Sequence, residues 1–215
     1  SLVFADDTPV PSALWAWGYN GYGQLGDGTN TTGTTPTWTV EATNWSAIAG
    51  GTAHTVALKS DGTLWAWGSN DYGQLGNGTT SNSTVPVAVS GVGSGAQHID
   101  GGYFHTCAVV SGAARCWGRN HYGQLGNGNL VDSATPVTVS GLGSGVTEVS
   151  AGYNHACAIA SGAARCWGRN NYGQLGDGTT NDSSTPVGVG GGLGSISGLI
   201  SGYYANCVIE SPNTG

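Results

Sequence analysis

Charge is the scarcest property of this chain. Asp, Glu, Lys and Arg make up 8% of its 215 residues, and methionine is absent. Solubility must rest on Ser, Thr, Asn and Gly surfaces instead of ion pairs. The only cations are Lys59, Arg115, Arg119, Arg165 and Arg169, and the formal net charge is −7. A phosphate backbone needs a basic face to neutralise it, so nucleic acid is excluded as a partner. No run approaches the length of apolar sequence that a membrane helix requires, so no such span is expected. There is no Gly-X-Y period despite 40 glycines, and apolar residues recur regularly, which argues against collagen and against disorder. Also missing are a phosphate-binding Gly loop followed by a helix, an isolated carboxylate pair, and a Ser/His/Asp set standing apart from the rest. The reading is therefore a non-enzyme with no catalytic residue, no cofactor and no metal.

What is present is repetition. The stretch Trp-Gly-x-Asn-x-Tyr-Gly-Gln-Leu-Gly-(Asp/Asn)-Gly occurs from Trp17 to Gly28, Trp67 to Gly78, Trp117 to Gly128 and Trp167 to Gly178, with Tyr22, Tyr72, Tyr122 and Tyr172 spaced 50 residues apart. A fixed period of this size marks a repeat architecture. The glycines demand sharp turns. Leu25, Leu75, Leu125 and Leu175 are the lone aliphatics of each corner and read as plugs entering the core. Gln24, Gln74, Gln124 and Gln174 offer a donor and acceptors to backbone groups that a Gly-rich turn leaves open. Asn70 and Asn77 suit Asx turns. Asp27 and Asp177 exchange with Asn77 and Asn127 in one slot, which is turn chemistry; Asp27-Gly28-Thr29-Asn30 supplies too few oxygens for a calcium loop.

Between corners the chain reads as short strands. Leu14 to Gly18 alternates into the first corner, and Thr37–Val40, Val85–Val89, Pro136–Val139 and Pro186–Val189 share a later slot. Proline at a strand start is an edge feature, so these are expected outer strands. Trp45 to Gly51, His54 to Leu58 and Leu64 to Trp67 complete the set around the turn Ser60-Asp61-Gly62. Four short strands per unit with Gly-rich turns and no helical period describe a propeller blade of about kelch length. The expected organisation is an extended arm over residues 1–13, then repeats over 14–215. These are a half-repeat 14–44, full repeats at about 45–95, 96–145 and 146–195, and a half-repeat 196–215. Ser1 to Ala5 reads either as the tail of a processed leader or as a first strand.

Gly-Gly-x-x-His-(Thr/Ala)-x-Ala-(Leu/Val/Ile), followed by Trp-Gly-x-Asn-x-Tyr-Gly-Gln-Leu-Gly, resembles the repeat of the RCC1 (regulator of chromosome condensation) family, in its secreted bacterial form, across residues 14–209. The resemblance implies an all-β propeller of four-stranded antiparallel blades, usually seven of them. It implies action through protein–protein contacts, as in nuclear exchange factors for small GTPases and secreted bacterial relatives. Here the count is about four repeat equivalents with a half-blade at each end. The halves pair within one molecule, or between molecules head to tail, or belong to a longer propeller.

Cys107 and Cys116 flank one hairpin, and Cys157 and Cys166 the next. A two-residue loop at Ser111-Gly112 sets Cys107 against Cys116, near disulfide range. Two intrablade disulfides are expected, and with them an oxidising, extracellular or cell-surface location. A thiolate metal site is the less favoured reading, since this spacing is not a usual zinc pattern. The second repeat places Val56 and Trp65 in the same slots. Cys207 occupies the first slot of another such hairpin and reads as a sign of truncation, as a bond to something outside the chain, or as a small buried thiol.

His54, His105 and His155 recur with Asn206 in the fourth place. They read either as an axial ligand ring or, preferred, as side chains bonding backbone inside their own blades. Trp17, Trp67, Trp117 and Trp167 share a slot that favours packing between blades. Asn30, Asn44, Asn77, Asn82 and Asn181 head Asn-x-Ser/Thr sequons open to glycosylation, although chance matches are the default in this composition. The functional reading is an extracellular structural protomer assembling with itself through complementary half-blades. The alternatives are a closed module docking on another extracellular protein, and glycan binding through Trp38, Trp45, Tyr103, Tyr153 or Tyr203.

Overall fold

A computed structural model describes residues 13–39 and 44–211. The expected arm at residues 1–13 lies, up to residue 12, outside the described residues. All regular elements among those described are strands, sixteen in number. The first two are β1 (Trp15–Gly18) and β2 (Gly33–Trp38). A four-stranded sheet follows from β3 (Trp45–Gly50), β4 (His54–Lys59), β5 (Leu64–Gly68) and β6 (Ser83–Ala88). The next comprises β7 (Ala96–Gly101), β8 (His105–Val110), β9 (Ala113–Gly118) and β10 (Ser133–Thr138). The third comprises β11 (Val146–Ala151), β12 (His155–Ala160), β13 (Ala163–Gly168) and β14 (Ser183–Gly188). Last come β15 (Ile196–Ser201) and β16 (Asn206–Glu210).

Each sheet is an antiparallel meander in chain order. Among the described residues β1–β2 and β15–β16 form separate two-stranded sheets that do not pair with each other. β2, β6, β10 and β14 are the outer strands, as expected. Their prolines, however, fall inside the strand and not at its start. Pro136 sits where the β9–β10 register breaks between Ser133 and Val137, so its missing N–H costs no ladder bond.

The core lies between neighbouring sheets. Val56 and Leu58 from β4 meet Ile99, Ala108 and Val110 of the next sheet around Leu75 and Trp117. Cys107, Val109 and Leu125 repeat the pattern against Val149, Ala156, Ala158 and Trp167. The inner strands β3, β7, β11 and β15 run beside one another. Asp100 joins two of them, its carboxylate accepting from Ala151 N at 2.8 Å and Ser150 Oγ at 3.0 Å. Glycine makes this proximity possible: a Cβ on Gly102 would stand 2.6 Å from the Gly152 carbonyl oxygen and 2.3 Å from the ring of His105.

Cys107–Cys116 and Cys157–Cys166 are disulfide-bonded, with Cα atoms 4.1 and 4.0 Å apart. The two-residue turn is present: Val110 pairs with Ala113, and Ser111 and Gly112 both have positive φ, 51° and 76°. This is the twist a tight hairpin needs. In the first full sheet Val56 faces Ala66, not Trp65. The β4–β5 turn is one residue longer than its counterparts, which shifts the register by one. Trp65 thus belongs with Trp15, Arg115 and Arg165 on the opposite face.

Candidate interaction surfaces

The four corners are structural devices. Leu25 is 5% exposed, and Leu75, Leu125 and Leu175 are fully buried. Gln24, Gln74, Gln124 and Gln174 accept through Oε1 from the backbone N–H of Tyr22, Tyr72, Tyr122 and Tyr172 at 2.9–3.0 Å. The organiser that sequence reading undervalued is the motif Asn. Asn20, Asn70, Asn120 and Asn170 are fully buried. Asn120 Oδ1 accepts from Leu125 N at 2.9 Å, while its Nδ2 donates to the carbonyls of Asn129 and Val131 at 3.0 and 3.1 Å. Its recurrence at a fixed place before the Tyr-Gly-Gln-Leu core was the available signal.

His54 and His155 pair across blades, not within them. His54 Nε2 lies 2.9 Å from Thr106 Oγ1, and that hydroxyl donates to the Gln74 carbonyl at 2.9 Å. Thr106 therefore accepts, and His54 carries its proton on Nε2. His155 Nε2 likewise lies 2.9 Å from Asn206 Oδ1. Strand pairing corrects the fourth slot: Ser201 faces Asn206 as Gly101 faces Thr106, so Asn206 is the Thr equivalent and Ala205 stands in the His place. Burial depresses His54 to about 4 and His105 to about 3, with the other two histidines adding to the effect at His105. His155 is also lowered by burial. Neutral imidazoles locked in the interior describe packing between blades. Among the described residues no group of three or more His, Cys, Asp or Glu is placed to hold a metal ion.

Two surfaces stand out. On the inner-strand face Tyr103, Tyr153 and Tyr203 form a row, with ring centroids 4.2 and 3.8 Å apart. Hydrogen bonding to the next phenol raises Tyr103 and Tyr153 above the usual tyrosine range. The row borders a shallow hollow of about 370 Å³ rimmed by Gly51, Gly102, Gly152 and Gly202. Phe104 and Tyr72 continue the aromatic surface, with Arg119 5.1 Å from the Tyr72 ring centre.

The second surface is split between the two ends. Trp67, Trp117 and Trp167 are fully buried, whereas Trp17 is 64% exposed. Beside it lies an apolar hollow of about 600 Å³ lined by Leu14, Ala16, Leu25, Ile48, Ala49 and Trp67. At the other end Ile200 and Ile209 are exposed, and Cys207 is a free, exposed thiol and not a buried one. Trp38 packs edge-on against Trp15, and Lys59 lies over both Trp45 and Trp65. Of the sequon residues, Asn30, Asn44, Asn82 and Asn181 are exposed and Asn77 is half-buried in its turn.

The fold matches solved propellers. Human WBSCR16 superposes with a TM-score of 0.83 at 27% identity, covering 94% of this chain and 54% of that one. Prp20p from Saccharomyces cerevisiae, a protein studied for its binding to Gsp1p and histones, gives 0.77 at 21% identity, covering 93% and 52%. The chain thus spans about half the length of these relatives. No curated protein gives a significant sequence match. The model of the Regulator of chromosome condensation (RCC1) repeat matches residues 12–58, 61–109, 111–159 and 161–209. With four matched units covering nearly all of its length, the chain belongs to the RCC1 repeat family.

Proposed function

We propose that this chain is a non-catalytic protein-interaction propeller that works in an oxidising, extracytoplasmic setting and assembles with itself through its half-blades. One observation carries the reading. β1–β2 occupy the third and fourth strand places of a blade, and β15–β16 occupy the first and second. Each end offers what the other lacks, and strand addition to an open sheet is a common mode of recognition. Two disulfides are compatible with the location. Light scattering of the purified chain over a wide concentration range tests it: association is expected, and a strictly monomeric species at the highest concentration overturns it.

A second reading has its own support in the tyrosine row. Tyr203 and Tyr204 are exposed at its end, 56% and 36%, and aromatic side chains of this kind anchor protein interfaces. Here the module docks on another extracellular protein through the inner-strand face. Replacing Tyr203, which lies outside the half-blade joint, by alanine should abolish capture of such a partner without changing the assembly state. Glycan binding has less behind it, because Trp38, Trp45 and the tyrosine rings already lie against other rings or Lys59.

A further inference from the structure

Each full blade is seated on the corner before it in the same way. The indole N–H of Trp67 donates to the Gln24 carbonyl, that of Trp117 to Gln74 and that of Trp167 to Gln124, all at 2.9 Å. Each ring lies on the glycine two residues later. A Cβ on Gly26 or Gly76 would come within 2.6 Å of the indole nitrogen, and one on Gly126 within 2.8 Å. The corner also reaches the next outer strand, Gly28, Gly78 and Gly128 donating to the carbonyls of Thr84, Ala134 and Ser184 at 2.9 Å.

The fourth corner has the same backbone. A Cβ on Gly176 would meet only Val189, at 3.1 Å and beyond, and above it lies a hollow of about 330 Å³ lined by Gln174, Leu175, Leu199, Tyr204 and Val208. The indole that stands in the matching strand place is Trp17, exposed on β1.

We propose that β1–β2 of a second copy complete the sheet beside β16, with Trp17 seated on Gly176 and donating to the Gln174 carbonyl, and that the reciprocal joint closes a two-copy ring. This rests on the self-assembly reading above and names the contact that makes it. The occupant is a second copy because the joint continues an interface that the chain builds three times within itself. In the same geometry Gly178 N reaches the Thr34 carbonyl, and the Ile200–Ile209 face covers Ile48 and Ala49 of the partner copy. Two is the smallest number of copies that a reciprocal joint closes, and the resulting eight blade equivalents are close to the span of WBSCR16, of which one copy covers 54%.

The register makes the joint testable. Cys107 faces Cys116 and Cys157 faces Cys166, each second cysteine standing one residue before the seated tryptophan. By the same pairing Cys207 of one copy faces Ala16 of the other.

The test uses the 215-residue chain, Ala16→Cys, Ala16→Cys with Cys207→Ser, and Trp17→Ala. Light scattering of the wild type should give twice the 21.5 kDa chain mass. Diamide should link Ala16→Cys into a disulfide-bonded dimer on a non-reducing gel, and the added Cys207→Ser should abolish the link. Trp17→Ala should weaken dimerisation at least a hundredfold, as expected on truncating a buried aromatic anchor (roughly 100-fold or more). A monomeric wild type overturns the assembly reading and this joint together. A dimer that Ala16→Cys fails to cross-link leaves assembly standing and overturns the Trp17 seat. A cross-linked species larger than two copies supports the seat and overturns closure at two.

Discussion

Acidification should loosen the protein at its buried histidines. His54 and His105 are fully buried and held at about 4 and about 3. In the unfolded chain each titrates near 6.5. The folded values lie below the unfolded ones, so their stabilising effect is complete above about pH 7 and is lost as pH falls through 6.5 towards 4. At pH 5.5 an unfolded imidazole gains about 1.4 kcal/mol from protonation that a folded one at these positions cannot take up. The two together should reduce unfolding free energy by about 3 kcal/mol between pH 7.5 and 5.5. His155, also lowered by burial, acts in the same direction. Asp61 and Asp177 stay ionised through this window, held low by hydrogen bonds from Thr63 and Thr179. Guanidinium melts followed by tryptophan fluorescence at the two pH values measure the loss. The control is His105→Leu, since neither His105 ring nitrogen has a hydrogen-bond partner in the folded chain. That variant should recover about 1.4 kcal/mol of the pH-dependent loss. Equal stability at both pH values, or an unchanged loss in His105→Leu, would refute the argument.

Three further outcomes follow from the packing. Asn120→Ala removes the acceptor for Leu125 N and the donor to two carbonyls at a fully buried site, and should cost about 2–4 kcal/mol in a chemical melt. Gly76→Ala sets a Cβ within 2.6 Å of the Trp117 indole and should destabilise well beyond Gly91→Ala, which has similar φ, 68° against 69°, but open space around it. The Gly91 change alone should cost about 1 kcal/mol, and comparing the two melting curves isolates the clash. Replacing Cys107 and Cys116 by alanine opens a cross-link of sequence separation 9 and should cost about 2–3 kcal/mol while leaving a folded chain, because the Val56–Ala66 hairpin forms without a bridge.

Much of this architecture can be read from residue order because its causes are local. A Gly-Gln-Leu-Gly corner dictates its own turns, a two-residue Ser-Gly loop places Cys107 opposite Cys116, and a tryptophan at a fixed offset must find a wall. The errors lie where the answer depends on the neighbouring blade. His54 reads as bonding within its own blade, but its Nε2 meets the Thr106 hydroxyl one blade on, at 2.9 Å. Asn206 reads as a polar substitute for the histidines, but the strand register sets it opposite Ser201 as Thr106 stands opposite Gly101, which puts Ala205 in the histidine place. One added residue in the Ser60–Thr63 turn was enough to move Val56 from Trp65 to Ala66. Exposure of Trp17 was equally out of reach, because its sequence context is that of three indoles with no exposure at all.

The indole-to-carbonyl bond always runs the same way, from a unit to the one preceding it. The array therefore has a direction, like a row of tiles in which each overlaps the last. Copying one unit in the gene lengthens the row without spoiling any existing overlap, and only the outermost tiles notice the change. Such a protein can change its span by whole units while every internal seam stays as it was.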